Sequence, residues 1–282
     1  MNRYIDLHTH TTISDGTMTP RELIEYAAKK KLAAIAITDH DSIDGIWEAK
    51  QSGKKNHVEV ISGIEFSTYY KHTEIHIIGL LIDEKDKRFI KGLHEIIEAR
   101  DNRNKVMVDK LQAHGFNINL DDIFATADSK VYTRAHMARA MLNKGYVSSM
   151  KEAFDLYIGN DGPCYVSREK VNPQMAIQLI RSCGGVSILA HPTLYDMNLR
   201  ELDALIKELK AIGLQGIEGE YALYTKSEER YIKELAKAHD LVLSGGSDFH
   251  GDNKPYIDLG VGKGNLKINY HLLERMREIK NH

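Results

Sequence analysis

The sequence predicts an α/β barrel interrupted once by a helical insertion. Three observations lead there. Short apolar runs alternate with segments of helical period; the alternation lapses over residues 100–164; and histidines and carboxylates stand at the ends of the apolar runs. Strands separated by helices pair in parallel, because the right-handed crossover returns each strand in the same direction. About seven such strands suffice for a closed or nearly closed barrel, which gathers their carboxyl ends on one face.

The first strand ends in Asp6-Leu7-His8-Thr9-His10, followed in the next loop by Asp15. Alternate side chains of a strand share a face, so His8 and His10 point the same way. Thr19-Pro20-Arg21-Glu22 is a capping box with proline at the first helical position, and its helix runs to about Lys31. Residues 32–37 are a continuous apolar run, the mark of a buried parallel strand, ending in Thr38-Asp39-His40-Asp41. A helix follows through Trp47, and a third strand, 58–62, ends in Gly63-Ile64-Glu65. A fourth run, 74–80, carries His76 among apolar residues, with His72 in a hairpin turn before it.

Residues 86–113 turn helical and lead out of the alternation; 100–164 has helical periodicity and no strand. The alternation resumes near Tyr165. Asn172-Pro173 starts a helix that stops at Gly184-Gly185, and strand 186–189 ends in Ala190-His191-Pro192. Helix 199–212, strand 214–218, helix 227–239 and strand 241–243 follow. The last strand opens into Ser244-Gly245-Gly246-Ser247-Asp248-Phe249-His250-Gly251, and a helix from about Asn269 closes the chain. The barrel therefore comprises 1–99 and 165–282, with 100–164 as the insert.

Bulk properties exclude several classes. A formal net charge of -2 and a pI of about 6.7 give no global field for nucleic acid or an anionic membrane. No apolar run spans a bilayer and no apolar leader follows Met1. Cys164 and Cys183 form neither a disulfide framework nor a Cys-x-x-Cys pair. The expectation is a cytoplasmic protein with no membrane partner and no stable nucleic-acid complex, a monomer being favoured over an oligomer. The unusual count is 14 histidines.

Six of those histidines fall on strands or at strand ends: His8, His10, His40, His76, His191 and His250. Asp15, Glu65 and Asp248 join them, giving nine nitrogen and oxygen ligands without a cysteine. Of the other eight, His57, His94, His114, His239 and His271 scatter on helices or turns, His72 lies in the hairpin turn and His282 at the terminus, and His136 falls in the insert. Nine ligands exceed what one ion takes, so two or three divalent ions are expected, with a carboxylate such as Glu65 bridging. Imidazole with carboxylate suits manganese, iron or zinc. Such a cluster lowers the pKa of bound water and holds both oxygens of an in-line displacement, the chemistry of phosphoester hydrolysis.

Taken together, His8-Thr9-His10, Asp15, Thr38-Asp39-His40, Gly63-Ile64-Glu65, His76, Ala190-His191-Pro192 and Ser247-Asp248-Phe249-His250 resemble the motif set of the PHP (polymerase and histidinol phosphatase) superfamily, in order across the whole chain. That resemblance implies a distorted (β/α)7 barrel and a trinuclear site whose nine ligands are also the catalytic set. By motif, His8, His10, Glu65 and Asp248 hold the first ion; Glu65 bridges to a second shared with His76 and His191; Asp15, His40 and His250 hold the third. The insert resembles that of stand-alone bacterial phosphoesterases acting on 3′,5′-bisphosphonucleotides, nucleoside monophosphates or the 5′ ends of short oligonucleotides. The alternatives are a histidinol-phosphate phosphatase, which the insert argues against, and a structural module without catalysis, which the complete ligand set argues against.

The insert is expected to cap the site and set its substrate. Thr133-Arg134-Ala135-His136 precedes a helical run, so a Thr133 cap puts Arg134 and His136 in a first turn where free N–H groups and a guanidinium favour phosphate. Arg168 and Lys170 add positive potential where the chain re-enters the barrel, and Tyr221 and Tyr224 either stack on a base or cover the barrel rim. Asp39 and Asp41 are placed to orient the ligand imidazoles.

Overall fold

The computed structural model describes residues 3–71, 73–126, 132–166 and 171–280. Strands β1 (Ile5–Asp6), β2 (Ala34–Ile37), β3 (Glu59–Tyr70), β4 (Thr73–Leu80), β5 (Val186–Leu189), β6 (Gly216–Tyr221) and β7 (Val242–Gly246) form one sheet in chain order. Helices α1 (Pro20–Lys29), α2 (Ile46–Asn56), α7 (Pro173–Ser182), α8 (Leu199–Ala211) and α9 (Lys226–Ala238) lie between strands, and α10 (His271–Lys280) ends the chain. The sheet curls until its edges meet: Leu7 N–H donates to the Gly245 carbonyl (3.1 Å) and Asp248 N–H to the His8 carbonyl (2.9 Å). The result is the expected seven-stranded, nearly closed barrel.

One strand departs from the parallel arrangement. β4 runs antiparallel to both β3 and β5. The two residues between Tyr70 and Thr73 allow only a hairpin, since a parallel return needs a crossover of a dozen or more residues. Pairing with β4 also carries β3 on to Tyr70, so Glu65 lies mid-strand rather than at a strand end. The helix after β2 also differs, running on to Asn56 where His57 caps it in the left-handed region (φ 57°).

Period-two alternation divides the strands between two cores. On β2, Ile35 and Ile37 face outward against the helices, while Ala34 and Ala36 face inward with Ile5, Leu7, Ile78 and Ile188. Leu266, Ile268, Leu273 and Met276, from α10 and the loop before it, join this interior layer. An apolar floor thus fills the barrel, and the polar residues stand at one end of it.

Helix α3 (Lys87–Ala113) leaves the barrel and, at 27 residues, is about 40 Å long. Its Phe89, Leu93 and Ile96 pack in the barrel's outer core, whereas Met107, Val108 and Leu111 belong to a separate cluster with Ile123, Met137, Met141, Val147 and Ile158. That cluster is built on α4 (Leu120–Phe124), α5 (Arg134–Asn143) and α6 (Met150–Ala153), and no strand occurs among the described residues of 114–166.

Candidate metal centre

The nine residues singled out in the sequence come together at one end of the barrel. Past β1, the backbone of the His8–His10 stretch is pinned on both sides: His10 N–H donates to the Phe249 carbonyl (2.9 Å), and Thr38 N–H donates to the Thr9 carbonyl (3.0 Å). Both imidazoles point inward, with their Nε2 atoms 3.1 Å apart. Asp15 follows in a tight loop that Asp39 organises, accepting from Thr11 N–H (2.8 Å) and from the hydroxyls of Thr11 and Ser14. Gly16 is required there, since a Cβ would sit 2.4 Å from the His10 carbonyl oxygen.

Glu65 is the hub. Its Oε2 lies 3.3, 3.1 and 3.2 Å from nitrogens of His8, His10 and His40, and its Oε1 lies 2.9 and 3.1 Å from nitrogens of His76 and His191. Asp248 Oδ1 reaches His8, His10 and His250 at 3.6, 3.4 and 3.3 Å. Asp15 faces His250 (3.3 Å), His10 (3.7 Å) and His40 (3.8 Å). Four overlapping groups offer ligand atoms within reach of a common point: His10, Asp15, His40 and His250; His8, Glu65 and His191; His8, His10 and Asp248; and His40, Glu65 and His76.

This donor set fits divalent ions. His76 Nδ1 and His191 Nε2 hydrogen-bond Glu65 Oε1, but other ring nitrogens and carboxylate oxygens crowd together without such bonds: the buried Asp15 Oδ1 and His40 Nδ1 have no hydrogen-bond partner. Oxygen and imidazole ligands with no thiolate are the set that manganese, iron and zinc accept.

The electrostatics tell the same story. Burial opposes charge throughout, yet at Glu65 the imidazoles of His8, His40 and His76 outweigh it and hold the carboxyl well below its usual range. Burial is likewise overcome at Asp15 by His40 and His250, and at Asp248 by Lys254 and His250. Against burial, carboxylates raise His10 to about 9 and His76 to about 10, and hold His8 well above its usual value. Burial wins at His40, which falls to about 4.

Other expectations divide. Thr133 caps α5, and His136 completes a capping box by accepting the Thr133 N–H at Nδ1 (3.0 Å). Arg134 pairs with Glu74 (3.0 Å) and donates to Asn160 (3.0 Å), so its guanidinium is held rather than free. Tyr221 and Tyr224 are buried, their hydroxyls donating to Asp248 Oδ2 (2.8 Å) and the Glu218 carbonyl (3.0 Å), which removes them from base stacking. Asp41 faces Arg100 (3.6 Å), and Asp39 reaches the imidazoles only through Ser14, which lies 3.4 Å from His10 Nδ1. His57, His94, His114 and His271 are exposed, and His239 binds Asp203 (2.7 Å). Arg168, Lys170, His72 and His282 lie outside the described residues.

Sequence reasoning missed Glu218, Glu74 and Lys254. Glu218 is fully buried against His8. Glu74 accepts from His76 Nε2 (3.3 Å), and Lys254 pairs with Asp248 Oδ2 (2.6 Å). The available signal for Glu218 was a carboxylate at the end of the predicted strand 214–218, the kind of position that marked Glu65. Two cavities flank the centre and share Asp15. One, of about 150 Å³, is lined by His40, His76, Arg100, Arg103 and Arg134; the other, of about 540 Å³, by Thr12, His136, Arg139, Asn143 and Asn253.

A nearly closed α/β barrel with imidazoles and carboxylates clustered at one mouth defines a metal-binding hydrolase-type scaffold. The chain belongs to the PHP domain family, which matches residues 6–248. It is 37% identical over 89% of its length, and 91% of the relative's, to a 5′-3′ exoribonuclease of Haemophilus influenzae. It is 34% identical to a 3′,5′-nucleoside bisphosphate phosphatase of Chromobacterium violaceum, covering 91% of this chain and 90% of that one. Among solved structures, an amidohydrolase from Chromobacterium violaceum superposes with a TM-score of 0.87 at 31% identity, over 98% of this chain and 96% of the other. A protein from Bifidobacterium adolescentis described as a metal-dependent phosphoesterase gives 0.83 at 26%, over 97% and 95%.

Proposed function

We propose that the protein is a metal-dependent phosphoesterase that hydrolyses phosphate esters of nucleotides, either 3′,5′-bisphosphonucleotides and nucleoside monophosphates or the 5′ ends of short oligonucleotides. One observation carries this reading: Glu65 touches five imidazoles at 2.9–3.3 Å, with Asp15 and Asp248 closing the set, beside a cavity lined by arginines. The named relatives act on this class of substrate.

In this reading His8, His10, Glu65 and Asp248 hold one ion. Glu65, His76 and His191 hold a second, and Asp15, His40 and His250 a third. Bound divalent ions supply Lewis acidity toward phosphoryl oxygens and a more acidic water, which is what phosphoester hydrolysis demands. Glu65 presents one oxygen to His8, His10 and His40 and the other to His76 and His191, an arrangement that supports its role as the carboxylate that would bridge two ions. The P–O bond to the ester oxygen breaks as the bond from water oxygen to phosphorus forms; the water gives up a proton and the leaving alkoxide takes one up to depart as the alcohol.

The insert serves as the cap. Arg134, held over the smaller cavity by Glu74 and Asn160, shares its guanidinium with a substrate phosphate, and His136 faces the larger cavity, which has room for the nucleoside. Among the described residues no helix is long and apolar enough to cross a membrane. The substrate is a small diffusible nucleotide or a short oligonucleotide end, acted on by a cytoplasmic monomer.

The test is a hydrolysis screen over mononucleotides, 3′,5′-bisphosphonucleotides and short 5′-phosphorylated RNAs, with manganese, iron and zinc each added to metal-free protein. Release of inorganic phosphate or of 5′-mononucleotides is expected. His10→Ala and Asp248→Ala are expected to lower the rate by roughly a hundredfold to a thousandfold, the scale of losing one preorganised electrostatic group. Wild-type turnover in both variants overturns the reading.

A further inference from the structure

Glu218 belongs to none of the four ligand groups, yet it reaches two of their members. It sits on β6 with its side chain fully buried. Its Oε1 lies 3.0 Å from His8 Nδ1, and its Oε2 accepts the backbone N–H of His191 at 2.8 Å. These partners stand 183 residues apart in sequence, at the ends of β1 and β5, and with Glu65 they form one of the ligand groups.

Each contact has a distinct consequence. A carboxylate at Nδ1 keeps the ring proton there, which leaves the lone pair on Nε2, the atom that faces Glu65 and His10. The second contact concerns backbone. His191 has φ 25° and ψ 53°, a conformation that an L residue holds only when its surroundings impose it. The Glu218 acceptor on its N–H, the Leu194 N–H on its carbonyl (3.0 Å) and the Tyr195 hydroxyl on the preceding carbonyl impose it here. That turn brings His191 Nε2 to 3.1 Å from Glu65 Oε1.

We propose that Glu218 is a positioning residue for two of the ligands that meet at Glu65, one on each of two ions: one oxygen selects the ring tautomer of His8 and the other pins the strained turn that aims His191. This rests on the metal-centre reading above. Both oxygens must accept, so the residue cannot be replaced by an amide of the same size. Glutamine offers one acceptor, and its NH2 would face a donor at the other position.

The test uses full-length protein stripped of metal and titrated with manganese or zinc, by calorimetry or by competition with a chromophoric chelator. Glu218→Gln is expected to weaken the two equivalents held by His8 and by His191 by about 10–100-fold, the usual loss when such an outer carboxylate is removed, while the third, on Asp15, His40 and His250, holds near wild type. In zinc-loaded protein, the ¹⁵N imidazole spectrum is expected to show His8 protonated at Nδ1 in the wild type and to lose that signature in the variant. A merely structural role would lower metal-free stability and leave the His8 tautomer unchanged. Wild-type affinity for every equivalent together with an unchanged His8 signature overturns the proposal while the metal centre stands. A wild type that binds no ion overturns both. Where Glu218→Gln fails to fold, Glu218→Asp, which keeps the charge but is too short to reach both partners, is expected to show the same selective loss, and wild-type binding in it likewise overturns the proposal.

Discussion

Asp6 ties the first strand to the last. Its carboxyl accepts from the backbone N–H of His8 (3.3 Å), of Ser247 (2.9 Å) and of Gly260 (2.8 Å), and from the Ser247 hydroxyl. The residue is fully buried, and burial pushes its pKa from 3.8 up to about 6, the hydrogen bonds from Ser247, Gly260 and His8 offsetting only part of that. A carboxyl that is harder to ionise in the folded state contributes stability below the unfolded pKa and loses it as pH rises through the folded one. Between pH 3.8 and 6 the native state therefore binds more protons than the unfolded chain, and stability falls with pH. The full shift corresponds to about 3 kcal/mol. Asp6→Asn has no such titration. Measured by urea denaturation of metal-free protein, the stability of wild type minus that of Asp6→Asn should drop by about 2 kcal/mol, most of that amount, from pH 4 to pH 7; a difference independent of pH would refute the assignment.

At the scale of elements, the seam between β1 and β7 decides whether there is a site at all. His8 and His10 come from one side of it and Asp248 and His250 from the other. The two strands approach so closely because Gly246 has no side chain: a Cβ there would stand 2.2 Å from His8 Cβ and 2.6 Å from His8 N. Neither neighbour can yield, since Leu7 and His8 are hydrogen-bonded across the seam to Gly245 and Asp248. Gly246→Ala is expected to cost about 3 kcal/mol in chemical denaturation, the upper part of the range for overpacking a buried position, and to weaken metal binding by parting His8 from Asp248. A variant within about 0.5 kcal/mol of wild type would mean that the seam has slack.

For the whole molecule, the sequence disclosed most where burial and chemistry coincide along the chain. Parallel strands buried on both faces read as apolar runs, so His40, His191 and Asp248 at their ends stood out. Strand direction was not legible: an apolar run such as 74–80 looks the same whichever way it pairs, and the direction of β4 follows from the shortness of its connection to β3. Partners distant in sequence were equally hidden. The Thr133 cap was visible, but Glu74 as the acceptor for Arg134 and Glu218 as the acceptor for His8 arise only when the barrel closes. That closure makes a last expectation. The nine candidate ligands come from β3, β4 and the ends or loops of β1, β2, β5 and β7, whereas the insert packs its own core around Met107, Met137 and Ile158. Ions held by those ligands would tie six strands together. At a hundred times its dissociation constant each ion should add about 2.7 kcal/mol to global stability. Chelation should then lower the melting temperature and speed amide exchange at residues 8–15, 38–41, 189–192 and 247–251, while exchange in α5 stays unchanged. Equal loss of protection in α5 and at the barrel mouth would show instead that insert and barrel unfold as one unit, with the ions supporting both.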